Sequence, residues 1–102
     1  MKLLSVKKSN RKGKKWMARF CLCDGKSMCC EKDKKIVHFG ATGYTDWTLG
    51  ASEAQRDAYR VRHASGKDAP ADTANALSYH ILWGDSRSMD ANIKAFKKKY
   101  NV

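Results

Sequence analysis

Trp16-Met17-Ala18-Arg19-Phe20-Cys21-Leu22-Cys23 alternates residue by residue, with Trp16, Ala18, Phe20 and Leu22 on one side and Met17, Arg19, Cys21 and Cys23 on the other. Successive side chains of a strand point to opposite faces, so this period of two predicts a β-strand with one apolar face. The other face carries Arg19 and two thiols. Upstream, Leu4 and Val6 alternate with Ser5 and Lys7 and predict a first strand. Ser9-Asn10-Arg11-Lys12-Gly13 between the two has turn composition. Downstream, Asp24-Gly25 suits a tight turn, because glycine adopts the positive φ required there. A short strand over Lys26 to Glu31, a turn at Lys32-Asp33 and a continuation over Lys34 to Phe39 complete the pattern, which Gly40 and Gly43 close. The expectation is a small antiparallel β-meander over residues 3–40.

From Ser52 the period becomes helical. Ser52 and Gln55 have the spacing of a capping box, and Ala54, Ala58 and Val61 are expected to line the inner face. Residues 65–71 hold Gly66, Asp68 and Pro70 and read as a loop. Asp72 or Thr73 then caps a second helix with Ala74, Leu77, Ser78, Ile81 and Leu82 inward and Gly84 as its stop. Ser88 caps a third helix, in which Met89, Ile93, Phe96 and Tyr100 form one apolar stripe. Tyr44, Trp47, Tyr59 and Trp83 are assigned to the core. A sheet followed by two or three short packed helices is an α+β fold. With 102 residues, the chain is expected to form a single domain, 1–102, with the meander at 3–40 and a helical part at 52–101.

The charge is unevenly spread. Lys and Arg number 21 against 10 acids, a net charge of +11. Met1 to Lys35 carries twelve of the bases and three acids, whereas Ile36 to Arg87 carries five bases and six acids. Ser88 to Val102 adds four lysines and one acid. Basic ends around a neutral middle suggest one electropositive surface, and such a surface attracts polyanions. No apolar run approaches the ~20 residues of a membrane span, and Met1-Lys2-Leu3-Leu4 lacks the apolar region of a secretory signal. The expectation is a soluble protein without a membrane partner, kept inside the cell that makes it.

The residues offer little for catalysis. Cys21, Cys23, Cys29 and Cys30 lack the C-x2-C spacing of common zinc sites. A turn at Asp24-Gly25 would point three thiols to one face and Cys29 to the other. Neither a metal nor an intramolecular disulfide is expected, the latter because the cell interior is reducing. His38, His63 and His80 form no ligand pair, and no nucleophile with an orienting carboxylate stands out. Gly40-Ala41-Thr42-Gly43 lacks the lysine of a phosphate-binding loop. No enzyme and no cofactor are expected.

The basic cluster carries the functional reading. Lys7, Lys8, Arg11, Lys12, Lys14 and Lys15 place six positive charges in nine residues with no intervening acid. Arg19 lies in the following strand, Lys34 and Lys35 follow the next turn, and Lys97 and Lys98 belong to the last helix. These residues are the candidate nucleic-acid-binding set, suited to DNA or RNA phosphates and with little sequence preference.

Several short motifs also carry a resemblance. Lys34-Lys35-Ile36-Val37-His38-Phe39-Gly40 and Gly43-Tyr44-Thr45-Asp46-Trp47-Thr48 are followed in order by Tyr59-Arg60-Val61-Arg62-His63. Ala76-Leu77-Ser78 with Leu82-Trp83, and Ile93 with Phe96-Lys97-Lys98, complete the set. Together, over residues 12 to 101, they are similar to an uncharacterised family of small basic proteins encoded by large nucleocytoplasmic DNA viruses. The resemblance implies a viral product located in the infected host cell, in cytoplasm or nucleus, or in the virion, and brings no activity with it. The segment Cys21 to Lys32 departs from the family pattern. The two functional expectations are therefore a nucleic-acid-associated module and, as the alternative, a minor capsid or cement protein whose basic face docks acidic capsid surfaces.

Overall fold

The computed structural model describes residues 1–22 and 34–102. Three antiparallel strands, β1 (Lys2–Lys8), β2 (Lys14–Cys21) and β3 (Lys34–Ala41), form a sheet in the order β1-β2-β3. Helices α1 (Glu53–Arg62), α2 (Ala74–Leu77) and α3 (Met89–Tyr100) follow, and α2 runs directly into a π-helical turn, Ser78–Leu82. The α+β architecture expected from the change of period is thus present. Ser52, Thr73 and Ser88 are the three N-caps, each accepting a backbone N–H three residues on. The expected strand over Lys26 to Glu31 and the turns at Asp24-Gly25 and Lys32-Asp33 lie outside the described residues.

Strand β2 organises the core. Ala18 and Phe20 are fully buried, with Trp16 half-buried beside them, and Phe39 and Val37 of β3 lie opposite Trp16 and Ala18. Two details of the strands differ from the pattern read in the sequence. A β-bulge between Leu3 and Ser5 brings Leu3 opposite Phe20 and Val6 opposite Ala18. The extra residue resets the alternation, so Leu3 is buried while Leu4 is exposed. Leu22, one residue beyond the end of β2, is exposed as well, because the alternation ends with the strand pairing.

The helical layer closes over the inner face of the sheet with Ala76, Leu77, Ile81, Leu82 and Phe96 in one cluster with Phe20 and Phe39. In the π-helical turn Trp83 N–H donates to Ser78 O at 3.1 Å, five residues back. This wider turn presents Ile81, Leu82 and Trp83 to the interior in succession, while Ala74, expected to face inward, is exposed.

Helix α1 does not use the face predicted for it. Ala54, Ala58 and Val61 are exposed, Val61 to 78%. The packed side carries Arg56, Tyr59 and Arg60. Arg56 Nε donates to Gly84 O at 3.0 Å and Arg60 Nη1 to Trp83 O at 2.8 Å, satisfying carbonyls left open where the π-helical turn ends. Arg60 also lies over the Tyr79 ring at 4.4 Å. One ring and two guanidinium forks with long apolar stems bury more than two alanine methyls and one valine can, so the arginine face wins. Trp47, in a short 3-10 turn (Trp47–Leu49), packs with the guanidinium groups of Arg87 at 3.6 Å and Arg56 at 5.4 Å from its ring. Tyr44 is 74% exposed, which removes it from the core.

Asn92 holds α3 to the preceding loop. Its amide donates to Ile81 O at 2.8 Å and Ser86 O at 2.7 Å and accepts from Ser86 N at 3.0 Å. Gly84 packs against this side chain, leaving no room for a Cβ. Asn92→Ala is expected to cost about 2 kcal/mol in a urea titration, since it strands buried backbone groups. Asn92→Asp should recover little, because a carboxylate cannot donate to two carbonyls.

Candidate nucleic-acid interface

The strands hold eight Lys/Arg and no acid, and the register sorts them by face. On the face opposite the core, three cross-strand rows form: Lys7–Met17–His38, Ser5–Arg19–Ile36 and Lys2–Cys21–Lys34. Lys2, Lys7 and Lys34 are exposed at the ends of these rows and Arg19 stands in the middle of them. The β1–β2 turn continues the same charge. Arg11 and Lys12 are exposed there, and Ser9 Oγ accepts Arg11 N–H at 3.0 Å, which shapes the turn. Ser9 Oγ also lies 2.6 Å from His38 Nδ1, tying the turn to β3. Lys8 and Lys14 are exposed at the two strand ends beside the turn.

Two of the predicted residues are committed elsewhere. Lys15 reaches Asp46 at 2.9 Å, with side chains only 14% and 2% exposed, so it is a structural cation. Asp46 is the N-cap of the 3-10 turn and also accepts the Thr48 N–H at 2.9 Å and the Thr48 hydroxyl. Lys35 bridges to Asp72 at 2.9 Å at a half-exposed site. Lys97 and Lys98 are exposed on α3, which packs chiefly on the π-helical turn rather than on the sheet. The basic ends of the chain therefore present separate patches, with the sheet patch the larger. Lys2, absent from the set read in the sequence, joins it only through the register.

Cys21 is fully buried and disulfide-bonded. This corrects the expectation of unpaired thiols, which rested on compartment and took no account of how close four cysteines in ten residues lie along the chain. Its partner, and the register from which the metal argument was made, lie outside the described residues. Among the described residues no group of His, Cys, Asp or Glu is arranged to hold a metal ion, and no helix is long and apolar enough to cross a membrane.

Next to the basic sheet end, a cleft of about 710 Å³ opens between β2, the loop at 44–46, α1 and α2. Tyr59 stacks on Trp83 at 4.5 Å and on His63 at 4.3 Å along its wall. Burial raises the Tyr59 hydroxyl above its usual range, against the smaller lowering effects of its Ser78 hydrogen bond and Arg62. No sequence pattern marked this cleft, because its walls come from four separate segments.

Residues 4–63 match the model of a family of unknown function, DUF5754. The chain belongs to this family. The DUF5754 match takes in most of the sheet, the 3-10 turn and α1, and ends at His63, the C-cap of α1. It therefore covers the basic face except Lys2 and three of the four segments that wall the cleft, while α2 and α3 lie beyond it. No curated protein and no solved structure matches the chain.

His80 supplies a pH dependence. Its ring nitrogen Nε2 lies 2.9 Å from Lys67 O. Burial holds its pKa below the ordinary value of 6.5; Lys99 and Arg60 also lower it, while the Lys67 carbonyl and Asp68 act the other way. A depressed folded-state value means that the unfolded chain takes the proton first. The His80 contribution is present above pH 6.5 and is lost as pH falls through the folded value. The melting temperature of His80→Gln should accordingly fall less than that of the parent between neutral and mildly acidic pH.

Proposed function

We propose that this DUF5754 protein is a non-enzymatic nucleic-acid-binding module that holds phosphates on the outer face of its sheet and on the β1–β2 turn. One observation supports the reading above the rest: Lys2, Lys7, Arg19 and Lys34 share by register a single face that carries no acid among the described residues, beside the exposed Arg11 and Lys12. Point charges on long stems track a phosphate backbone and read no base edges, so affinity without marked sequence preference is the expected behaviour. DNA and RNA phosphates are the partners in this reading. The viral origin and the host-cell or virion setting implied by the resemblance belong to the same proposal.

The test is a titration at low salt against duplex DNA, single-stranded DNA and RNA of unrelated sequences. Micromolar or tighter binding, nearly equal among sequences of one type, is expected. Failure to bind any of them would reject the reading and favour the docking of acidic capsid surfaces.

A further inference from the structure

We propose that the cleft beside the sheet is a nucleotide pocket, taking one phosphorylated planar base either as a free nucleotide or as an unpaired residue of a single strand. This goes beyond backbone tracking, which needs no concave site. A volume of about 710 Å³ falls within the range of small-molecule sites and leaves ample room for one nucleotide.

The lining supplies each part of such a ligand with a partner. The Trp83–Tyr59–His63 stack, with interplanar angles of 9° and 25°, forms an aromatic wall. Tyr44 also lines the cleft, and its 74% exposure gives it no packing role. A base entering the cleft meets both. Lys14 and Arg62 line the same space and are exposed, and their side chains make no hydrogen bond or ion pair to the described residues, so both are available to a phosphate. The one carboxylate among the described lining residues, Asp46, is 1% exposed and already holds the Lys15 ammonium. It presents no unneutralised charge to an anion.

The polar groups fit a base edge. Gln55 uses its amide oxygen to accept Ser52 N–H, which leaves its NH₂ as a donor. Asn75 uses its NH₂ to donate to Ser65 Oγ, which leaves its oxygen as an acceptor. A donor and an acceptor lining the same cleft are what the Watson–Crick edge of an unpaired base requires. Ser78 and Leu82 reach the cleft from the π-helical turn, a geometry frequent at functional sites.

The experiment uses the full chain with AMP, adenosine, inorganic phosphate, a short oligothymidylate and a blunt duplex as probes. Binding is followed by calorimetry and by the fluorescence of Trp83, with Trp83→Phe marking its share of the signal. Saturable AMP binding that changes Trp83 emission, with adenosine and phosphate each weaker, is expected. Tyr44→Ala and Arg62→Ala should each weaken AMP by about 5-fold or more. Both residues are exposed, so the variants should keep the parent's circular dichroism and its duplex affinity. Competition between oligothymidylate and AMP identifies the unpaired strand as a source, and AMP binding without competition identifies the free nucleotide. Absence of saturable AMP and oligothymidylate binding, or full affinity in both variants, would overturn the proposal. Neither result bears on duplex binding by the sheet, so the two readings fail separately.

Discussion

Lys15→Met is expected to lower the unfolding free energy by about 3 kcal/mol, a large loss for a chain of this size. The lysine stem packs at the wall of the cleft, and its ammonium lies 2.9 Å from Asp46. Methionine keeps most of the stem and removes the charge. Asp46, at 1% exposure, then retains only the Thr48 N–H and hydroxyl, so a carboxylate remains buried without its cation. Removing one partner of a buried pair costs more than removing both. The double variant Lys15→Met/Asp46→Asn should therefore be more stable than the sum of the single losses predicts. Urea titrations of the four proteins give the coupling directly. A single-variant loss under about 0.5 kcal/mol would show that Asp46 does not depend on Lys15.

Replacing Lys7, Lys8, Arg11 and Lys12 together by alanine should weaken duplex binding by about 100-fold at low salt and flatten its salt dependence. All four are exposed and none lines the cleft or holds a core contact. The melting temperature should stay near that of the parent. If each residue meets one phosphate, the slope of log affinity against log salt should shrink by about 3.6. The same number of substitutions on α3 would be the comparison of choice, but three lysines suffice there. Lys97, Lys98 and Lys99 to alanine should change the slope by less, since α3 packs chiefly on the π-helical turn and not on the basic face of the sheet. An equal effect from both sets would mean that the ligand spans both patches.

The sheet and the helix starts were legible because each rests on neighbouring residues. The period of two at Trp16 to Phe20 and the caps at Ser52, Thr73 and Ser88 need nothing beyond local chain geometry. The inner face of α1 was not legible for a tertiary reason: whether Arg56 and Arg60 point inward depends on the carbonyls of Trp83 and Gly84, more than twenty residues away. Lys15 illustrates the same limit at the candidate site. In sequence it is one of six bases within nine residues, and only the fold sets Asp46 beside it. The bulge at Leu4 shows a third kind of miss, because two adjacent leucines fit either alternation and the pairing with Phe20 selects one. The cleft was invisible for want of any contiguous signature.

The most direct measurement is the affinity for one duplex DNA at a series of monovalent salt concentrations. With about five phosphates neutralised, log affinity should fall linearly against log salt with a slope of about −4.5. A slope near zero, or no binding at the lowest salt, would contradict a sheet face that works by holding phosphates.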